Sequence, residues 1–398
     1  MKTKTSSVEP KALVNPKLLD WLDNLIRDTA DYLLRNQELD GDFRGAIWSR
    51  QAFHFPTFDF NAGGSYHNRT IGPAGYCFTE LANLTGEKKF LKAAELAFDW
   101  VCTRQDSDGA IDEIVNNNQA SRWHGTAREG SVIELGLVVH GLSKALSSHL
   151  HFKNEYRVFM QKAAMWNLKM EIPPQTGNFL HSEGYPHDKL ILNANAHSAE
   201  TLLSVSNLFA KHGYPSDPDW TAAALRAIDA ILSLQLENGM YPYSSRPDDH
   251  TIHYTAVVVW CLQNIQHLCP IEYQNKIELS VQNAMAFLEA VVDDRKGIKW
   301  DPFETHGHKF RTYTLVLICH LLMNQSSSPS NDKGLKILDY LQNKLYDPDE
   351  KLLQLMDIPE GVTVNLLGKP VRGEKIFHMA YNQADILEFL ISIRRRLS

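Results

Sequence analysis

No two of the five cysteines in this chain stand in a CxxC pair, and their odd number argues against a disulfide framework or a thiolate zinc site. Cys77, Cys102, Cys261, Cys269 and Cys319 fall inside apolar, helix-like segments and read as buried small hydrophobes. Long apolar runs are also missing: nothing approaches the about 18 residues that a membrane-spanning helix needs. Nor does an apolar run follow the basic residues between Met1 and Pro10, so no secretory leader is read and a cytoplasmic protein is expected. Positive charge is not in excess. With 40 Lys and Arg against 47 Asp and Glu the net charge is -7, which leaves no basic stripe for a phosphate backbone or an anionic membrane. What remains is an ordinary globular composition, 43% hydrophobic and 22% charged.

A repeated phrase fills the chain. An amphipathic helix leads to a polar turn with glycine, and a second, more apolar helix follows. The turns are Gln37-Glu38-Leu39-Asp40-Gly41, Gln105-Asp106-Ser107-Asp108-Gly109, Pro174-Gln175-Thr176-Gly177, Gln235-Leu236-Glu237-Asn238-Gly239 and Arg295-Lys296-Gly297. Their glycines recur at roughly 60-residue intervals, and a sixth, degenerate turn lies near Tyr346-Asp347-Pro348-Asp349-Glu350-Lys351. Before a turn, segments such as Ala223 to Gln235 place apolar residues three and four apart. After it, segments such as Ala256-Val257-Val258-Val259-Trp260-Cys261-Leu262 are apolar all round and must be buried. Outer amphipathic and inner apolar helices, without convincing strand alternation, predict an all-α chain forming a single (α/α)6 toroid over 1–398, with 1–16 as a flexible N-terminal extension.

Eight of the 17 histidines mark the starts of the inner helices. They lie at His67, His124, His197, His250 with His253, His306 with His308, and His378. A toroid brings these six windows to one funnel, where helix N-termini favour anionic or oxyanionic groups. His253 and His378 are the leading general acid and base, since imidazole titrates near neutrality, and His197 and Tyr254 are the next candidates. Arg69, Arg128 and Arg311 are placed to clamp a carboxylate or sugar hydroxyls. With His67, His124, Glu200, Asp249, His250, Tyr381 and Asn382 they form the expected substrate-binding set. Tyr66, Tyr254, Tyr313, Tyr381, Trp48, Trp123 and Trp300 offer flat faces for pyranose rings.

The spacings His250-x-x-His253 and His306-x-His308 are compatible with a transition metal, but no carboxylate or cysteine completes a familiar motif, so neither metal nor cofactor is assigned. Rim carboxylates Glu129, Glu200, Asp248, Asp249, Asp301 and Glu304 keep open a glycoside hydrolase built on a pair such as Asp249 and Glu129. A non-catalytic glycan- or protein-binding toroid is a further alternative. A terpenoid cyclase is distant, because there is no DxDD motif and Asp293-Asp294-Arg295 lacks the aspartate of a DDxxD site. The histidine, tyrosine and arginine content of the funnel favours proton abstraction next to a carbonyl or carboxylate. The expected substrate is a small molecule or oligosaccharide, polyhydroxylated or also anionic in character, with no nucleic acid or membrane as partner.

The stretch Asn193-Ala194-Asn195-Ala196-His197-Ser198-Ala199-Glu200 resembles the Asn, His and Glu helix of the N-acylglucosamine 2-epimerase superfamily. Arg69 looks like the arginine on that family's first inner helix, Lys375-Ile376-Phe377-His378 is similar to its last-repeat segment, and His253 falls in the fourth repeat. The resemblance implies an (α/α)6 barrel in which His253 and His378 exchange the proton at a sugar C2. The chain is similar, at the level of architecture, to toroidal uronate lyases and glucuronyl C5-epimerases. The glutamine-led glycine turns also look like degenerate repeats of squalene-cyclase-type toroids.

Overall fold

The computed structural model describes residues 15–49, 52–55, 58–61, 65–112, 114–115, 130–183, 190–246, 251–293, 297–298, 312–325, 328–355, 363–366, 369–372 and 380–398. Six outer helices alternate with six inner ones. The outer set is α1 (Pro16–Arg35), α3 (Lys88–Cys102), α5 (Asn154–Lys169), α7 (Pro218–Ser233), α9 (Ile271–Val291) and α11 (Ser328–Tyr340). The inner set is α2 (Asn68–Thr85), α4 (Val132–Ser148), α6 (Leu192–Lys211), α8 (Ile252–Ile265), α10 (Thr312–Met323) and α12 (Ala380–Leu397). Each inner helix touches the next, and α12 returns to α2 and α1, so the ring closes. The fold is an (α/α)6 toroid. None of the described helices is long and apolar enough to cross a membrane.

Amphipathicity sorts the two layers. In α7 only Trp220, Ala223, Ala224, Ala227, Ile228 and Ile231 are buried, a stripe of three- and four-residue steps, whereas every residue of α10 is buried. The polar turns work as clamps. Gln105 Nε2 donates to the Gly109 and Phe159 carbonyls at 3.1 Å each, and Gln235 Nε2 to those of Gly239 and Ser280 at 3.0 and 2.8 Å. Each glutamine thus ties its own turn to the next outer helix. In the third repeat Glu171 replaces it, accepting from the Gly177 N–H and from Arg226 of α7.

One expectation is corrected by this docking. The first-repeat counterpart of Gly109 is Gly45, not Gly41. Gln37 Nε2 donates to the Gly45 and Ala93 carbonyls, and a Cβ on Gly45 would lie 2.0 Å from the Leu96 carbonyl oxygen, while one on Gly41 would meet nothing within 4 Å. At Gly239 the corresponding Cβ would lie 2.2 Å from the Asn283 carbonyl oxygen, at φ +87. Gly239→Ala is therefore expected to lose more than the about 1–3 kcal/mol of a left-handed non-glycine residue, and Gly41→Ala only that strain. Urea midpoints at unchanged slope measure the difference. The sixth turn is a hairpin pairing Tyr346–Asp347 with Leu352–Leu353, and Lys351 supplies its left-handed residue at φ +57.

Short strands stitch the helix starts together, which sequence alternation did not announce. β1 (Trp48–Ser49) precedes the hairpin of β2 (Ala52–Phe55) and β3 (Phe58–Asn61), while β4 (Ser65–His67) pairs with both β1 and β5 (Ile114–Val115). The capping residues of three inner helices each bridge to the segment feeding the next: His67 to Ile114, Ser131 to Ser182, and Ile191 to Ser244. Consecutive inner helices therefore begin at the same end of the barrel.

Candidate active site at the inner-helix starts

The first turns of the inner helices set Arg69, Glu134, His253 and Tyr313 around one mouth, with Asp385 a turn further along α12. The Arg69 backbone N–H donates to Glu134 Oε2 at 2.7 Å, and its guanidinium donates to Asp385 Oδ2 at 3.0 Å. Burial pushes the Asp385 carboxyl up, against the pull of Arg69, to about 6. A buried ion pair of this kind fixes an arginine's direction more than it stabilises the fold. Asn382, one turn before Asp385, is buried, and its Oδ1 has no hydrogen-bond partner among the described residues.

His253 sits in the first turn of α8, where Thr251 caps the helix by accepting from the Tyr254 N–H. Its Nδ1 lies 2.8 Å from Thr314 Oγ1 on α10, and its ring meets Tyr254 at 4.8 Å and Tyr313 at 5.3 Å between centroids. The imidazole is thus held at a set angle by two neighbouring helices. Tyr254 is half-buried and packs on Tyr243, 4.6 Å between centroids. Tyr313 and Tyr66 are buried instead of offering stacking faces. Tyr66 donates to Glu38 and stacks on Phe43, and the charges of Asp385 and Arg69 act on the buried Tyr313.

The other histidines differ in kind. His67 caps α2 without a side-chain cap bond, and burial with the Arg69 charge pushes its pKa down to about 3. His197 lies in the second turn of α6, where Gly136 of α4 leaves room for its ring, since a Cβ there would fall 2.8 Å from the His197 Cβ. Burial lowers its pKa to about 4, against Glu200, with Arg69 and His140 adding to the fall. Both are held as neutral imidazoles.

Glu200 is not a rim carboxylate. It lies a turn deeper, 2% exposed, where Oε1 accepts from Asn264 at 3.1 Å and meets His140 Nδ1 at 2.6 Å. The other His140 nitrogen, Nε2, lies 2.8 Å from Glu388, which also accepts from Lys144 at 2.8 Å. Burial opposes the charge on His140, but Glu388 and Glu200 raise its pKa to about 9. This layer forms one wall of a cavity of about 460 Å³ that opens toward the C-terminal ends of the inner helices, lined by His140 and Glu200 with Tyr76, Glu80, Lys144 and Asn207 among others.

Sequence reasoning missed His140, Lys144, Asp385 and Glu388. The available signal was an ionisable residue inside an otherwise apolar inner helix, as in Val138-Val139-His140-Gly141-Leu142. Of the expected site, His67, Arg69, His197, Glu200, His253, Tyr254 and Asn382 are placed as above. His124, Arg128, Asp249, His250, Arg311 and His378 lie outside the described residues, as do Glu129 and the Tyr381 side chain.

A ring of twelve described helices, with His140, His197, Glu200, Asp385 and Glu388 buried on its inner layer, defines the class: an (α/α)6 toroid. The family model for the ulvan lyase N-terminal domain matches residues 31–216. No curated protein matches the sequence. Among solved structures, cellobiose 2-epimerase from Bacillus thermoamylovorans is similar at TM-score 0.68 and 10% identity, over 95% of this chain and 100% of that one. A D-mannose isomerase matches at TM-score 0.65 and 12% identity, over 98% and 100%. An unsaturated glucuronyl hydrolase specific for heparin matches at TM-score 0.63 and 13% identity, over 95% and 97%.

Proposed function

We propose that this protein is a carbohydrate-active enzyme that removes a proton from a sugar or uronate carbon. The observation that carries the reading is the His253 imidazole, locked on Thr314 between two tyrosines at the same mouth as an arginine already oriented by Asp385. The partial match to an ulvan lyase domain and the likeness to sugar epimerase and isomerase folds support it. In this reading Arg69 and Arg311 hold the substrate's carboxylate or carbonyl. Their charge stabilises the electron pair left when the C–H bond breaks. His253 takes the proton, and His378, assisted by Tyr254, supplies one to the opposite face or to a departing glycosidic oxygen. Return of the proton to carbon gives epimerisation, whereas loss of the oxygen substituent gives an unsaturated product.

Incubation with a panel of sugars and uronate oligosaccharides in deuterated water tests this. Deuterium at one ring carbon, or a product absorbing in the ultraviolet, is the expected result. Release of reducing ends with neither signal would replace this reading by a hydrolytic one.

A further inference from the structure

Among the described residues, three buried side chains with metal-ligating atoms stand together: His197 and Glu200 on α6, and Cys261 on α8. One ligand atom from each lies within 4.8 Å of the others, and Cys261 Sγ is 3.8 Å from His197 Nδ1. All three residues are buried. Glu200 Oε1 is occupied by His140 and Asn264, and Oε2 has only the Cys261 thiol, a weak donor, beside it. A buried carboxylate oxygen met only by a thiol is poorly satisfied, and a cation is the stronger remedy. Here its near neighbours are a thiol and an imidazole.

We propose that His197, Glu200 and Cys261 form a three-ligand site for one divalent transition-metal ion of zinc's type, between α6 and α8. Nitrogen, carboxylate oxygen and sulfur are the donors such ions take, and the 3.8 Å separation of sulfur and nitrogen is within a few tenths of the roughly 3.5 Å that tetrahedral bonds of about 2.3 and 2.0 Å impose. On ligation the Cys261 thiol gives its proton to solvent and binds as thiolate. His140 already stands behind Glu200, as outer partners stand behind metal-bound carboxylates. The short histidine motifs of the sequence could not disclose this site, because its ligands come from two helices and 64 positions separate Cys261 from His197.

The test is independent of the sugar reading. The full chain, unfolded and refolded with Co²⁺ after removal of metal, should take up about one ion per chain. It should also show a thiolate-to-cobalt charge-transfer band in the near ultraviolet. Cys261→Ser and Cys261→Ala, both checked for native circular dichroism, should lose that band and bind at least about tenfold more weakly. Glu200→Gln should keep the band but shift the visible d–d envelope. Absence of stoichiometric uptake by the wild type overturns the proposal, and so does a charge-transfer band that survives in both cysteine variants.

Discussion

His140→Leu is expected to lose about 3–5 kcal/mol of unfolding free energy at pH 7. The side chain is 1% exposed and lies between two carboxylates, at 2.6 Å from Glu200 and 2.8 Å from Glu388. Leucine would fill most of the volume, but Glu200 and Glu388 would then face each other inside the barrel with Lys144 as the nearest cation. Neutralising one of them as well, in His140→Leu with Glu200→Gln, should recover part of the loss. The pH dependence carries the same signature. The two carboxylates raise the folded-state pKa of His140 to about 9, above the ordinary histidine value of 6.5. Its contribution is therefore fully present below pH 6.5 and is lost as the pH rises through 9. Urea titrations between pH 6 and 9.5 should show the wild type losing stability on this alkaline limb, and the leucine variant should lack that component. A leucine variant within 1 kcal/mol of wild type would mean that the imidazole is not the cation of this cluster.

His253→Gln should reduce turnover by about 10²- to 10⁴-fold, the usual contribution of one general acid-base group. Glutamine preserves a polar group in the first turn of α8, and the Thr251 cap is made by backbone and hydroxyl atoms that the change leaves alone. The melting temperature should therefore move little while kcat collapses. Thr314→Val removes the hydroxyl that orients the ring and should cost less, since the imidazole keeps its chemistry but loses its set angle. The measurement is isotope exchange or product formation on whichever sugar or uronate responds in the deuterium panel. An intact rate in the glutamine variant would take the proton transfer away from His253.

The layered ring was legible because it is written in periodicity. Apolar residues all round α8 and α10 leave no alternative to burial, and a polar face on α7 leaves none to the outside. The start of α8 was legible for the same reason: His253 stands where a polar loop meets an apolar run. The turn in the first repeat was not, because Gly41 and Gly45 are both left-handed glycines, and only tertiary contacts, the Gln37 clamp and the approach to Leu96, separate them. The axial charges were hidden differently. His140 and Glu388 are 248 positions apart, and nothing in either local sequence names the other. Ring closure creates that pair.

Closure also has a schedule. Asp385, which orients Arg69, and Glu388, which balances His140 and Lys144, both ride on α12, whose Arg394 clasps Asp23 of α1 through two hydrogen bonds of 2.6 and 3.0 Å. A ribosome makes α12 after every other helix of the ring. Until it emerges, the nascent barrel carries an arginine, a lysine and a histidine on its axis with part of their counter-charge still unsynthesised. Without α12 the wall between α2 and α10 is open, and water is what remains to solvate those cations.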